Sequence, residues 1–334
     1  MVKSSNASSA AFGWDFQCNA AIMLMLKNIT VASAVKVEGQ TEDIEIALNS
    51  GNFVYSQAKA VFNPYDDYSN VISKLKSGLS TLSSAARHPN VEQLIYITNS
   101  PNPFNHPQTI SAFSGELTSL NYNNLPESCK QEIENLCAAE KYNFDRQLFS
   151  VYVMQFHGDG ENRYKVVKGL TNEFLASVGL SDLGLGKHLL DLWQGFFFAN
   201  ASQHDETLKI TKEQMIWPLI VSICDLNTED ALLADYDEGD IDNIIRRYGA
   251  VINNNSERFE FVSKVLSGYN SYEPSMKSSA KTKSFIENNW FNYSNDFDVS
   301  TAERGVLEVI VKLAISNVIK RRDRIVRIKA GVNL

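Results

Sequence analysis

Two alternating runs around Asn49-Ser50-Gly51-Asn52 constrain this chain more than any other feature. The four intervening residues are those a tight strand reversal requires, so residues 38–59 read as a β-hairpin. On its first strand Ile44, Ile46 and Leu48 share one face, which puts Asp43 and Glu45 on the other. On its second strand Phe53, Tyr55, Gln57 and Lys59 alternate against Val54, Ser56 and Ala58. A carboxylate, an amide oxygen and an ammonium therefore converge at one end of a two-stranded ribbon.

Those residue types suit phosphodiester cleavage. The reaction places negative charge on non-bridging oxygens and on a leaving alkoxide, which a hard divalent cation held by oxygen ligands offsets. Asp43 would supply the charged ligand. The side-chain oxygen of Gln57 and the backbone carbonyl of Ala58 would fill further positions. Lys59 would orient or help deprotonate the attacking water and stabilise the charge that develops, a role that a partly buried lysine suits. The same residues also fit a surface hairpin with solvent-facing polar side chains, and the pattern alone leaves both readings open.

The surroundings of the hairpin carry a family resemblance. A helix opens with Phe12-Gly13-Trp14-Asp15-Phe16-Gln17, a strand ends at Glu38, and Glu42-Asp43-Ile44 and Gln57-Ala58-Lys59 follow. This order resembles the PD-(D/E)xK restriction-endonuclease-like superfamily. More narrowly, it is similar to the double-stranded-DNA endonuclease domain of bacterial anti-phage effectors, CBASS and Lamassu among them. The resemblance implies an α/β fold with a mixed sheet flanked by helices. It also implies that Glu38, Asp43, Gln57 and Lys59 form the catalytic set, with Mg²⁺ or Mn²⁺ as cofactor. Gln17 stands where many relatives of the wider superfamily carry a glutamate that holds metal-bound water, and Gln57 stands where an acid is commoner. Both departures lower the negative charge of the site and point to one-metal chemistry.

The close resemblance spans about the first sixty residues; from there to about residue 230 only the order of elements agrees. It divides the chain into a disordered lead-in at 1–10, a nuclease-like domain at 11–230 and a helical oligomerisation or partner-binding region at 231–334. Cutting both strands of a duplex needs two sites, which implies a homo-oligomer, a dimer or tetramer. In CBASS relatives a sensor domain for cyclic oligonucleotides follows the nuclease, and the C-terminal region is short for one. The Lamassu nuclease subunit, which works with an SMC-like ATPase, is the nearer comparison, so an ATPase of that kind or another defence-system sensor is the expected partner. Two other functions suit the same residues: a DNA- or partner-binding scaffold that kept the fold and lost the chemistry, and an RNase of the same fold.

A formal net charge of −8 argues against free-standing, avid DNA binding, because phosphate contacts come from Lys and Arg. Either the DNA channel is locally basic, or a partner supplies positive surface. Cys18, Cys129, Cys137 and Cys224 are scattered with no C-x-x-C pair, which disfavours a zinc site or a disulfide framework. The polar start MVKSSNASSA lacks the apolar stretch of a signal peptide, and the run Ala20 to Leu26 is too short to span a membrane. Reduced thiols and a cytoplasmic location are expected.

Further along, helices are expected at 14–28, 67–86 and 161–178, and strands at 34–38, 43–48, 53–59, 91–98 and 148–156. The strands at 91–98 and 148–156 are apolar on both faces, as in a sheet covered on both sides. Lys74, Lys76 and Arg87 lie on the polar face of the second helix, either as solvated cations or as contacts to DNA phosphates. Residues 99–107, with three prolines, read as a loop. Gly184-Leu185-Gly186-Lys187 lacks the remaining features of a phosphate loop and reads as the lead into a helix.

Beyond residue 186 the pattern turns helical, at 188–200 and 212–224. Asp235 to Asp242 is the most acidic run and reads as a solvated helix lead-in, since the closing Glu of a calcium loop is missing. Residues 268–283 read as a loop. Ser300-Thr301-Ala302-Glu303 is a capping box opening a long helix whose body is apolar nearly all round. That helix ends in a basic cluster containing Lys320, Arg321, Arg322, Arg324, Arg327 and Lys329. The cluster either complements the helix dipole or contacts DNA or an acidic partner.

Overall fold

The computed structural model describes residues 7–39, 42–66, 68–181, 184–203, 205, 207–223, 238–256, 258–272, 278–299 and 303–334. By its internal contacts the chain forms two compact units, Met1–Met215 and Ile216–Val332.

The first unit is α/β, built on a seven-stranded mixed sheet. Its strands are β1 (Ala32–Val37), β2 (Ile44–Leu48), β3 (Phe53–Lys59), β4 (Val91–Thr98), β5 (Leu117–Asn121), β6 (Phe149–Met154) and β7 (Ile210–Thr211). They lie in the order β5-β6-β4-β3-β2-β1-β7. The β1, β2 and β3 strands form an antiparallel meander, and β3, β4 and β6 run parallel. The five strands expected from sequence are all present. The edge strands β5 and β7 are additions that the sequence reading missed.

The hairpin register is the one its alternation requires. Ile44 pairs with Ser56, Glu45 with Tyr55 and Ile46 with Val54. Ile44, Ile46 and Leu48 are buried, whereas Glu45 and Ala47 are half-buried. The turn is closed by Gly51 at φ +84°, where its amide donates to the Leu48 carbonyl at 3.0 Å. Glycine adopts that left-handed backbone without the cost a side chain brings.

Helix α1 (Ala7–Lys27) packs on β1, β2 and β3. It runs through residues 7–10, which the sequence reading placed in a disordered lead-in; the alanines and serines there are compatible with a first helical turn. Helices α5 (Lys165–Ser177) and α6 (Gly186–Ala201) pack against α1 and against each other. Trp193 is fully buried, with its indole N–H donating to the Met215 carbonyl at 2.7 Å.

Helix α2 (Val71–Ala85) packs on β3 and β4. Leu75, Leu79 and Leu82 meet Tyr55, Leu94 and Tyr96 there. The close approach depends on Gly78. A Cβ at that position would lie 2.6 Å from the Tyr96 ring, and Tyr96 is only 1 % exposed, so it cannot swing away. Gly78→Ala is therefore expected to destabilise the unit by about 1–3 kcal/mol. Thermal denaturation of the variant measures this as a lowered Tm.

Between β4 and β6 the chain forms α3 (Pro107–Ala112), β5 and α4 (Glu127–Glu140), none of which the sequence reading assigned. Cys129, Ile133 and Cys137 form the buried stripe of α4 in the same core cluster as α2. These two cysteines and Cys18 are free thiols, and Cys224 lies outside the described residues.

Among the described residues the second unit is helical. It continues α7 (Lys212–Ile223) with α8 (Glu238–Ser256), α9 (Phe259–Ser271), α10 (Ser278–Asn289) and α11 (Arg304–Val332). Residues 268–283 were expected to be a loop, but 268–271 close α9 and 278–283 open α10. Stacking holds that serine-rich stretch, with Tyr269 and Tyr272 both set edge-on against Phe285. The body of α11 is buried without a break from Val309 to Ile319, as its all-round apolar sequence requires. Lys312 lies inside that run and is paired with Glu287 at 2.6 Å and Glu308 at 2.7 Å. The expected capping residues Ser300 to Ala302, and Asp235 to Asp237 of the acidic run, lie outside the described residues. No described helix is long and apolar enough to cross a membrane.

Candidate active site

Hydrogen bonds at the end of the hairpin join four of the five residues expected to form the site, Gln17, Glu38, Asp43 and Lys59, while Gln57 lies two residues before Lys59 on β3. Ile44 opposite Ser56 is the last pair of the hairpin at this end, and Asp43 and Gln57 are the next residues of the two chains. Gln57 lies on the face of β3 covered by α2, against Gly78. Lys59, two residues beyond Gln57, points to the same face. The Asp43 Oδ2 atom accepts from the Ala58 amide at 3.0 Å and from Lys59 Nζ at 3.4 Å. Both side chains keep partial access to solvent, 20 % for Asp43 and 26 % for Lys59.

Gln17 of α1 ties the far side of the site. Its amide donates to Glu38 Oε1 at 2.7 Å and to the Asp43 carbonyl at 3.2 Å. Glu38 has φ +54°, a left-handed backbone that few non-glycine residues adopt. Two hydrogen bonds hold that conformation. The Glu38 amide donates to the Asp43 carbonyl at 2.8 Å, and the Gly39 amide donates to the Glu42 carbonyl at 3.0 Å. Residues 38–43 thus close on themselves, and Gln17 clamps the closure with a neutral amide.

Electrostatics at the site disfavour uncompensated negative charge. Burial pushes the Asp43 carboxyl up, and the charge of Glu38 adds to this, while Lys59 and the Ala58 amide pull it back. Glu42 is more strongly affected: burial, Asp43 and Glu45 outweigh the pull of Lys59 and raise its carboxyl from 4.5 to about 9. The Cys18 thiol is pushed up to about 12 by burial and by Asp15 and Glu38, so it carries no nucleophilic thiolate at neutral pH.

Glu42 was missed as a site residue. The sequence shows it only as the acid beside Asp43, and its burial at 3 % exposure depends on how neighbouring elements cover it. Nothing in the local pattern signals that.

The predicted DNA contacts fare differently from one another. Lys74 on α2 is half-buried beside Lys59, and burial together with the Lys59 charge lowers its ammonium pKa. Among the described residues no carboxylate pairs with it. Lys76 is taken up by an ion pair with Glu140 of α4 at 2.6 Å. Arg321, Arg322 and Arg324 belong to α11 in the second unit. Arg322 stacks on the Tyr269 ring, 5.0 Å from its centroid, and lies 3.3 Å from Asp323 Oδ1.

Among the described residues no group of three or more His, Cys, Asp or Glu is arranged to hold a metal ion. The donor set here is of another kind: the Asp43 carboxylate, the Gln57 amide and the Ala58 carbonyl. Gln57 is 2 % exposed, and its Nε2 has no partner among the described residues. A polar occupant would satisfy that atom, and all three groups present the oxygen donors that Mg²⁺ takes alongside retained waters. The residues therefore fit a single hard cation held by few protein ligands. No protein-family model, curated protein or solved structure matches the chain.

Proposed function

We propose that the chain is a Mg²⁺- or Mn²⁺-dependent double-stranded DNA endonuclease on a restriction-endonuclease-like core, serving as the effector of a bacterial anti-phage system. The observation that carries this reading is the run of hydrogen bonds joining Gln17, Glu38, Asp43 and Lys59 at the end of the hairpin, with Gln57 on the strand that carries Lys59. A divalent cation, when bound, supplies Lewis-acid stabilisation and makes water a better nucleophile. Asp43, Gln57 and the Ala58 carbonyl would hold it. Lys59, within reach of the Asp43 carboxylate, would orient the attacking water through its ammonium hydrogens and offset the charge developing on the phosphate. Lys74, whose pKa the Lys59 charge lowers and which has no carboxylate partner among the described residues, offers a second ammonium for the phosphate being cut.

This catalyst is weak in isolation. Two amides stand at positions where acids would add charge, and the chain carries a net charge of −8. Cleavage of duplex DNA is therefore conditional on a homo-oligomer, and on a partner such as an SMC-like ATPase that brings DNA to the site. The absence of a three-acid metal group among the described residues favours a second reading, a scaffold that kept the fold and lost the chemistry.

Plasmid DNA and single-stranded RNA, incubated in parallel with the full chain and Mg²⁺, separate these readings. Mg²⁺-dependent loss of the plasmid with RNA spared is the expected result. RNA loss alone makes the chain an RNase. No loss of either substrate, with no effect of Mg²⁺ on thermal stability, makes it a scaffold.

A further inference from the structure

Three buried polar atoms at the site have no hydrogen-bond partner among the described residues: both carboxyl oxygens of Glu42 and the amide nitrogen of Gln57. The two side chains are 3 % and 2 % exposed. Leaving such atoms unpaired costs about 1–3 kcal/mol each, and folded proteins rarely carry them without a ligand, ion or water to explain them. Glu42 directly precedes Asp43 in the chain, and the charges acting on it are those of Asp43, Lys59 and Glu45. Gln57 follows Ser56, the strand partner of Ile44, and shares its face of β3 with Lys59.

The charge balance points the same way. The charge of Lys59 acts on both Glu42 and Asp43, and the charge of Glu38 acts on Asp43. Asp43 already takes the Lys59 hydrogen bond. A buried carboxyl with both oxygens open, beside a second carboxyl, is suited to a cation rather than to another anion or an apolar ligand. Gln57 Nε2 completes the fit, since it can donate to a water held by that cation.

Resting on the metal-dependent reading above, we infer that Glu42 is a second carboxylate ligand of the cation, supplying the acid that position 57 lacks. Glu42 and Asp43 then hold the ion from adjacent positions of one chain segment. Gln57 contributes its oxygen or, through its amide hydrogens, fixes a coordinated water.

Mn²⁺ titration of the full chain, followed by the electron paramagnetic resonance of free Mn²⁺ and by thermal shift, tests this without requiring cleavage. The wild type is expected to bind about one Mn²⁺ per chain and to gain thermal stability from it. Glu42→Gln keeps the shape of the side chain and is expected to weaken Mn²⁺ binding at least about tenfold, the lower end of what even outer-shell partners of a metal cost. Glu42→Asp retains a carboxylate and is expected to keep part of the Mn²⁺-induced stabilisation. If Glu42→Gln binds Mn²⁺ like the wild type while Asp43→Asn does not, the role of Glu42 is overturned and the metal site at Asp43 stands. If the wild type itself neither binds Mn²⁺ nor responds to it in stability, the metal-dependent reading fails together with this inference.

Discussion

Lys59→Ala is expected to reduce Mg²⁺-dependent DNA cleavage by about 10²–10³-fold, the range lost when one donor to the developing charge is removed. The fold should barely notice. The Lys59 side chain is a quarter exposed, and its ammonium has one described partner, Asp43 at 3.4 Å. A partly exposed pair of that kind contributes about 0.2–1 kcal/mol. Single-turnover rates and denaturation curves of the two proteins separate the effects, with a large change in the first and little in the second. Equal cleavage by Lys59→Ala and wild type would remove Lys59 from the reaction.

The second large effect concerns stability and pH. Burial raises the Glu42 carboxyl from 4.5 to about 9 in the folded chain. Between those values the unfolded chain has released the proton and the folded chain still holds it. Stability therefore falls as pH rises through that window, by up to about 1.4 kcal/mol per pH unit from this group. The penalty is absent below about pH 4.5 and levels off above about pH 9. Asp43 contributes with the same sign, since its carboxyl is also pushed up. Glu42→Gln cannot ionise, so its unfolding free energy should decline less steeply between pH 5.5 and 8.5. Relative to the wild type it should gain by up to about 1.4 kcal/mol for each pH unit across that range. Urea denaturation without divalent cations at the two pH values measures this. Parallel slopes for the two proteins would show that Glu42 ionises freely in the fold.

Much of the sheet was legible from local pattern. The alternation of Ile44, Ile46 and Leu48 sets the hairpin register, because slipping one residue would turn that whole set to the opposite face. The unbroken apolar runs at 91–98 and 148–156 are what two-sided burial demands, and both are central parallel strands. Edge strand β5, Leu-Thr-Ser-Leu-Asn, carries too little apolar signal to be seen, and its burial is correspondingly partial. The stripe Cys129, Ile133 and Cys137 of α4 has helical spacing, so this helix leaves a trace in the sequence that β5 does not.

The site divides the same way. Gln57 and Lys59 share a face of β3 by strand parity, which a sequence displays, and Asp43 meets Lys59 just beyond the last pair of the hairpin. Gln17 joins them through hydrogen bonds from a helix more than twenty residues earlier, and only the resemblance singled it out. Glu42 belongs to the group because of burial, which depends on the covering elements and leaves no local trace. In the second unit, residues 268–283 looked like a loop because serines and lysines dominate them. The aromatic contacts that make their ends helical join two helices, and no single window of sequence contains them.

The central claim is that Asp43 holds a cation that this chain uses to cut DNA. Its most direct test is single-turnover cleavage of an end-labelled DNA duplex by the full chain as Mg²⁺ is varied, for wild type and Asp43→Asn. The predicted result is product only in the presence of Mg²⁺, a rate that saturates with Mg²⁺, and a loss of at least about 10²-fold in Asp43→Asn. Cleavage that persists in a chelator, or that proceeds at the wild-type rate in Asp43→Asn, would contradict it.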